Sequence, residues 1–148
     1  MYKRQHPGWL EGHERVFEEL CTGIGWQSHR RVMYEREVDV PRLIARAPPQ
    51  GALADLLQRL GRVLSERYQR ALESISLAHY RSGQDSVAFH GDKVGSLAND
   101  CIVATVSVGN PRRFLMKPNS GGGSLSFDLG WGDPVSYTHL TLPTKRIV

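Results

Sequence analysis

Residues 86–94 read Ser86-Val87-Ala88-Phe89-His90-Gly91-Asp92-Lys93-Val94, an alternating stretch that runs into an H-x-D. The alternation predicts a strand over Ser86 to His90. On a strand, residues i and i+2 point to the same face. His90 and Asp92 therefore present an imidazole and a carboxylate side by side. With one distant histidine, such a pair makes the 2-His-1-carboxylate triad, which holds ferrous iron and leaves positions open for a co-substrate and O₂. The pair is short, and a surface histidine beside a turn aspartate reads the same way. Its surroundings carry the choice between the two.

Working outward, Ser74 to Tyr80 reads as a strand before the turn Arg81-Ser82-Gly83-Gln84-Asp85. Cys101 to Val108 is rich in β-branched residues, and Gly109-Asn110-Pro111 is a turn. Arg113 to Lys117 and Ser124 to Leu129 are two more strands, split by the loop Gly121-Gly122-Gly123. Towards the N-terminus, Pro7 to Leu20 reads as a helix, with Pro7 suited to its start. Trp26 to Val40 alternates loosely and predicts one or two strands. Pro41, Pro48, Pro49 and Gly51 make the next stretch a loop. Leu53 to Leu72 carries an apolar stripe at helical spacing, which is most simply core packing. Helices followed by a run of short strands predict an α+β fold with a sandwich or barrel of strands.

A length of 148 residues allows one domain with a real core. No apolar run approaches the roughly 18 residues of a membrane span, and the N-terminus shows no signal-peptide pattern. No membrane partner is expected. The two cysteines, Cys21 and Cys101, stand far apart and form no C-x-x-C. That fits a reducing compartment and a cytoplasmic protein.

The formal net charge of +4 invites a nucleic-acid partner, but the two ends of the chain supply it. A GTG start followed by TAT AAG AGA CAG would encode Met1-Tyr2-Lys3-Arg4-Gln5. The reverse complement of that DNA, read as xCT GTC TCT TAT ACA CAT, gives Pro134-Val135-Ser136-Tyr137-Thr138-His139. The two ends can thus be written by opposite strands of one short sequence. That sequence resembles the mosaic end of a transposon used to fragment DNA, and Leu140 to Thr144 resembles the adjoining adapter. Residues 1–5 and 134–148 are accordingly set apart as adapter-like, and excluded from fold reasoning. Without them the basic residues fall from 19 to 15, against 15 acidic ones. Only local clusters remain, Arg30-Arg31 and Arg112-Arg113 with Lys117.

Residues 74–133 resemble the AlkB family of Fe(II)- and 2-oxoglutarate-dependent dioxygenases. The shared pattern is Tyr80-Arg81-Ser82-Gly83, then His90-Gly91-Asp92, then Ser107-Val108-Gly109-Asn110-Pro111-Arg112-Arg113-Phe114, then Gly132-Asp133. Upstream, His6-Pro7-Gly8-Trp9-Leu10, Gly25-Trp26 and the run Met33 to Leu43 resemble bacterial, actinobacterial members.

The resemblance implies a double-stranded β-helix (jelly roll) over residues 74–133, preceded by N-terminal helices and a nucleotide-recognition region over residues 6–73. It implies Fe(II) as metal, 2-oxoglutarate as co-substrate, and alkylated DNA or RNA as substrate. The chemistry is oxidative dealkylation of an N-alkylated base, which must leave the base stack to be reached. His90 and Asp92 match the first two iron ligands, and Tyr80 matches the tyrosine that hydrogen-bonds 2-oxoglutarate. Trp26 sits where the family places an aromatic against the base; a core tryptophan beside Gly25 is the equal alternative. Met33 or Tyr34 would line the same pocket. Arg112-Arg113 faces phosphates or, more simply, ends a strand.

Ala78 stands where some relatives have a 2-oxoglutarate-binding asparagine, and Val94 where some have an acidic residue near the base. The family's second iron histidine and its 2-oxoglutarate arginines lie further on than Asp133. His139 falls in the adapter-like tail and is not taken as the ligand. The barrel is therefore expected to lack its C-terminal strands, and the 148-residue chain to be an inactive fragment with exposed sheet edges. A monomer is expected, as in the family. Two other readings stay open: a catalytically dead nucleic-acid-binding module of the same fold, and an oxygenase acting on protein or a small molecule.

Overall fold

The computed structural model describes residues 3–5, 8–33, 36–72, 74–87, 102–116 and 123–138. Ten elements follow in chain order: β1 (Lys3–Gln5), α1 (His13–Gly23), β2 (Gln27–Met33), β3 (Arg36–Arg46), α2 (Ala52–Tyr68), β4 (Ser76–His79), β5 (Ile102–Ser107), β6 (Arg112–Met116), β7 (Leu125–Leu129) and β8 (Asp133–Thr138). Two helices and strands that pair antiparallel throughout make a mixed α+β protein. The chain divides into two compact units, residues 18–86 and residues 1–17 with 87–148.

In the unit 18–86, β3 is the middle strand of a sheet ordered β2-β3-β4. The first part of the expected loop, Pro41 to Arg46, is instead the second half of β3, while Pro48, Pro49 and Gly51 lie in the loop before α2. The pairing shows why a proline is tolerated there. Ser28 pairs Leu43 but His29 pairs Val40, so Pro41 and Arg42 bulge out of the ladder with β2. A bulge is where a missing N–H costs no ladder bond. The Pro41 carbonyl is used: it accepts from Ser86 N at 2.7 Å.

Helix α2 buries Leu57 and Leu64 from the stripe, and Ala54 beside them, while Val63 stays 46% exposed. The helix stops at Tyr68, short of the expected Leu72. Gln69 takes a left-handed φ of 51°, and the Gln69 and Arg70 amides turn back to the Glu66 and Ser65 carbonyls. This is a helix-ending motif in which glutamine replaces the usual glycine. Helix α1 starts at His13, later than Pro7, because Gly12 at φ 69° breaks the backbone ahead of it.

In the other unit, one sheet is ordered β1-β8-β5 and a hairpin joins β6 to β7. Phe114, Met116 and Leu129 form its core, with Val103 and Phe127 packed against them. β8 pairs β5 from Ser107↔Asp133 to Ile102↔Thr138, and its other edge takes β1 through Arg4↔Ser136. The segments set apart on sequence grounds, residues 1–5 and those after Asp133, thus supply β1 and most of β8. Pro134 is fully buried and Ser136 is 8% exposed.

The entry to β8 is a pinned turn. Trp131 N donates to Gly109 O, Gly132 N to Ser107 O, and Gly8 N to the Asp133 carboxylate. Gly132 has φ 81°, and a Cβ there would lie 2.7 Å from the Leu10 carbonyl oxygen. Left-handed strain and overpacking add, so Gly132→Ala is expected to lower stability by about 2–4 kcal/mol. Urea unfolding checks this, with Gly83→Ala, which meets no atom within 4 Å, as the neutral comparison.

Candidate functional site

Strand β4 ends at His79, and the next two residues part company. His79 turns to the aromatic side of its unit: its ring lies 5.1 Å from that of Trp26, tilted by 54°, and Cys21 Sγ stands 4.0 Å from its Nε2. Trp26 is anchored there by its own indole N–H, which donates to the Leu20 carbonyl at 3.0 Å. Burial pushes the Cys21 thiol above its ordinary range, which keeps it in the unreactive protonated form. Successive residues of an extended chain point to opposite faces, and Tyr80 meets a different partner. Its half-buried hydroxyl accepts from Arg42 Nη1 at 3.0 Å.

The register explains that meeting. Leu43 pairs His79 at the end of the ladder between β3 and β4, and Arg42 and Tyr80 are the next residues beyond that pair, where their side chains meet. Arg42 is also one of the two bulged residues of β3, and bulges re-aim side chains. Nothing in the local sequence announces the pair, because Arg42 and Tyr80 come together only through the long-range pairing of β3 with β4. Pro41-Arg42 reads as loop in isolation.

After Tyr80 the chain is latched. The buried Asp85 carboxylate accepts from Arg81 N at 2.7 Å, Arg81 Nε at 2.8 Å and Arg81 Nη2 at 2.9 Å. The hydrogen bonds that the Arg81 guanidinium donates to Asp85, and then the Asp85 charge, hold it even more firmly protonated than usual. Ser86 is tied to Pro41 as described, so the turn between Tyr80 and Val87 is fixed at both ends. Asp85→Ala is expected to leave the Arg81 amide without its acceptor and to speed hydrogen exchange of the amides in residues 81–86. Unchanged exchange there would show that the turn is held by other contacts. The sequence reading saw this stretch only as a turn.

His90, Asp92 and Tyr34 lie outside the described residues, as does Val94. Met33 is the last residue of β2, paired with Arg36, and its side chain lies outside the described set. Of the expected site residues, the structure therefore places Trp26 and Tyr80, on different partners within one unit. Among the described residues no three metal-ligating side chains come together, and no helix is long and apolar enough to cross a membrane.

No family model matches the chain. Among curated proteins it is similar to the alpha-ketoglutarate-dependent dioxygenase alkB homolog 3 of Bos taurus, with 27% identity over 125 residues. That match covers 75% of this chain and 44% of the relative. The Homo sapiens and Mus musculus counterparts each show 25% identity over 126 residues, covering 76% of this chain and 44% of theirs. The chain thus spans less than half the length of the relatives it matches. At 25–27% identity this is a distant similarity to AlkB-like proteins.

Proposed function

We propose that the complete protein is an AlkB-type dioxygenase that removes alkyl groups from N-alkylated nucleobases in DNA or RNA. The observation that carries this reading is the similarity over three quarters of the chain to dioxygenases of that name, together with Tyr80 and the H-x-D in the family's order. In this reading the fold is a jelly roll. Residues 6–73 form the nucleotide-recognition region, and residues 74–133 the first part of the barrel. Residues 1–5 and 134–148 are adapter-like, and the protein is a bacterial, cytoplasmic monomer. His90 and Asp92 supply two ligands for Fe(II), with a second histidine further on. Trp26, Met33 and Tyr34 face the base.

The described residues fit the co-substrate better than they test the metal. Tyr80 offers a half-buried hydroxyl beside a cationic side chain, a setting suited to an anionic ligand such as 2-oxoglutarate. With O₂ as the oxidant, bound Fe(II) and 2-oxoglutarate would supply the chemistry for hydroxylating the N-alkyl carbon, 2-oxoglutarate giving up two of the four electrons as it is decarboxylated. The chain's own residues orient the co-substrate at Tyr80, and hold the 81–86 turn that leads to His90.

The test is release of formaldehyde from a methylated oligonucleotide by the complete reading frame, with Fe(II) and 2-oxoglutarate. Turnover with the oligonucleotide, absent with unmethylated strands, is the expected result. Turnover of 2-oxoglutarate stimulated only by a protein or small molecule would sink the nucleic-acid reading.

A further inference from the structure

Trp131 is 57% exposed, and its backbone sits at a left-handed φ of 50°. Each feature is costly. An exposed indole forgoes the burial its area offers, and a left-handed backbone strains any residue that carries a Cβ. Such an outlier persists only where its surroundings over-determine it, and outliers of this kind cluster at functional positions.

The surroundings fix this one. Trp131 N donates to Gly109 O at 3.0 Å, Gly132 N to Ser107 O at 2.8 Å, and Asp133 N to Gly130 O at 2.9 Å. Both flanking glycines are buried and have no room for a side chain. A Cβ on Gly130 would lie 2.6 Å from Pro111 Cα, and one on Gly132 2.7 Å from the Leu10 carbonyl oxygen. The turn is clamped on both sides and offers solvent one side chain, a rigidly mounted indole. The two segments that meet there, Ser107 to Arg113 and Gly130 to Gly132, carry two arginines and no acidic residue. Of these, Arg113 is exposed, as is Asn110. Arg113 pairs with the exposed Asp128 across β6 and β7, which offsets part of its charge. The site therefore offers a flat aromatic face with a modest positive bias. A nucleobase on a phosphate backbone matches both, and every base has a π-face to stack.

We propose that Trp131 is a stacking platform for an unpaired base of a single-stranded nucleic acid, with Arg113 beside the strand's phosphates. The class of ligand rests on the proposed function. Stacking, and not charge, carries most of the affinity.

Binding of a labelled single-stranded oligonucleotide to the complete protein, read by fluorescence anisotropy, tests this. Trp131→Gly is expected to weaken binding about five- to a hundredfold, the usual loss for one stacked base. Trp131→Phe, which keeps an aromatic face, should lose less. The ratio of wild-type to Trp131→Gly affinity should hold between about 50 and 200 mM salt while both affinities fall, because salt screens phosphate contacts and not stacking. In urea the Trp131→Gly midpoint should hold or rise, since glycine takes the left-handed turn without strain.

A lowered urea midpoint overturns the platform in favour of an indole that packs. A ratio that collapses towards one as salt rises overturns stacking in favour of charge. A dimer in sedimentation that Trp131→Gly dissolves overturns the nucleobase in favour of a second copy of the chain. Equal oligonucleotide affinity in wild type and Trp131→Gly sinks this inference alone, provided the wild type releases formaldehyde from the methylated strand. A wild-type protein that binds the strand through Trp131 and releases none keeps the platform and loses the proposed chemistry.

Discussion

A chain ended at Asp133 is expected to lose the folded structure of the unit built from residues 1–17 and 87–148. β8 is the middle strand of its three-stranded sheet. Removing residues 134–138 strips β5 of its only sheet neighbour and β1 of its only partner among the described strands. It also removes the fully buried Pro134 and the buried Ser136. A three-residue strand such as β1 cannot remain ordered without a partner, and a freed β5 edge of Ile102-Val103-Ala104-Thr105-Val106 invites pairing between chains. The expected loss exceeds about 5 kcal/mol, the lower end of a small domain's whole stability. Soluble yield and hydrogen exchange of the β5 amides measure it. Full protection of residues 102–107 in the shortened chain would show that β8 adds nothing. Grafting the locus's own continuation in place of residues 134–148 should restore protection if the tail is adapter-like, because any alternating strand can occupy the same ladder.

Substituting Asp92 by Ala in the complete protein is expected to abolish 2-oxoglutarate turnover, a loss above about a hundredfold. Loss of an outer-shell partner already costs ten- to a hundredfold in metal affinity or activity, and a direct ligand exceeds that. His90→Ala should behave alike, since both side chains share a strand face in the proposed triad. Asp92→Glu is the sharper variant: it keeps the charge and displaces the carboxylate by one methylene. Turnover that survives Asp92→Ala with unchanged KM for 2-oxoglutarate would remove Asp92 from the iron site. It would also revive the reading of His90-Gly91-Asp92 as a surface turn.

Legibility in the sequence followed the range of the interactions. The stripe of α2 was readable because helical periodicity is local, yet its end at Gln69 was not. Glutamine carries no signal for a left-handed cap. The hairpin of Arg112–Met116 with Leu125–Leu129 was readable within a residue or two, from two short runs with apolar residues on either side of a glycine loop. β3 beyond Val40 was not, because Pro41 reads as a strand breaker until the bulge is known. β1 and most of β8 were withheld from the fold because one short DNA sequence could encode both ends, and backbone pairing is indifferent to where a strand's codons originate. The Arg42–Tyr80 contact depends on register between strands far apart in the chain, which composition and periodicity do not encode.

The two units also differ in when their parts become available. Residues 18–86 form one continuous segment, and every strand of its sheet has been made once His79 has left the ribosome. The other unit is discontinuous: β1 pairs with β8, more than a hundred residues later in the chain. Closing so long a loop is slow, and an unpaired early strand is exposed meanwhile.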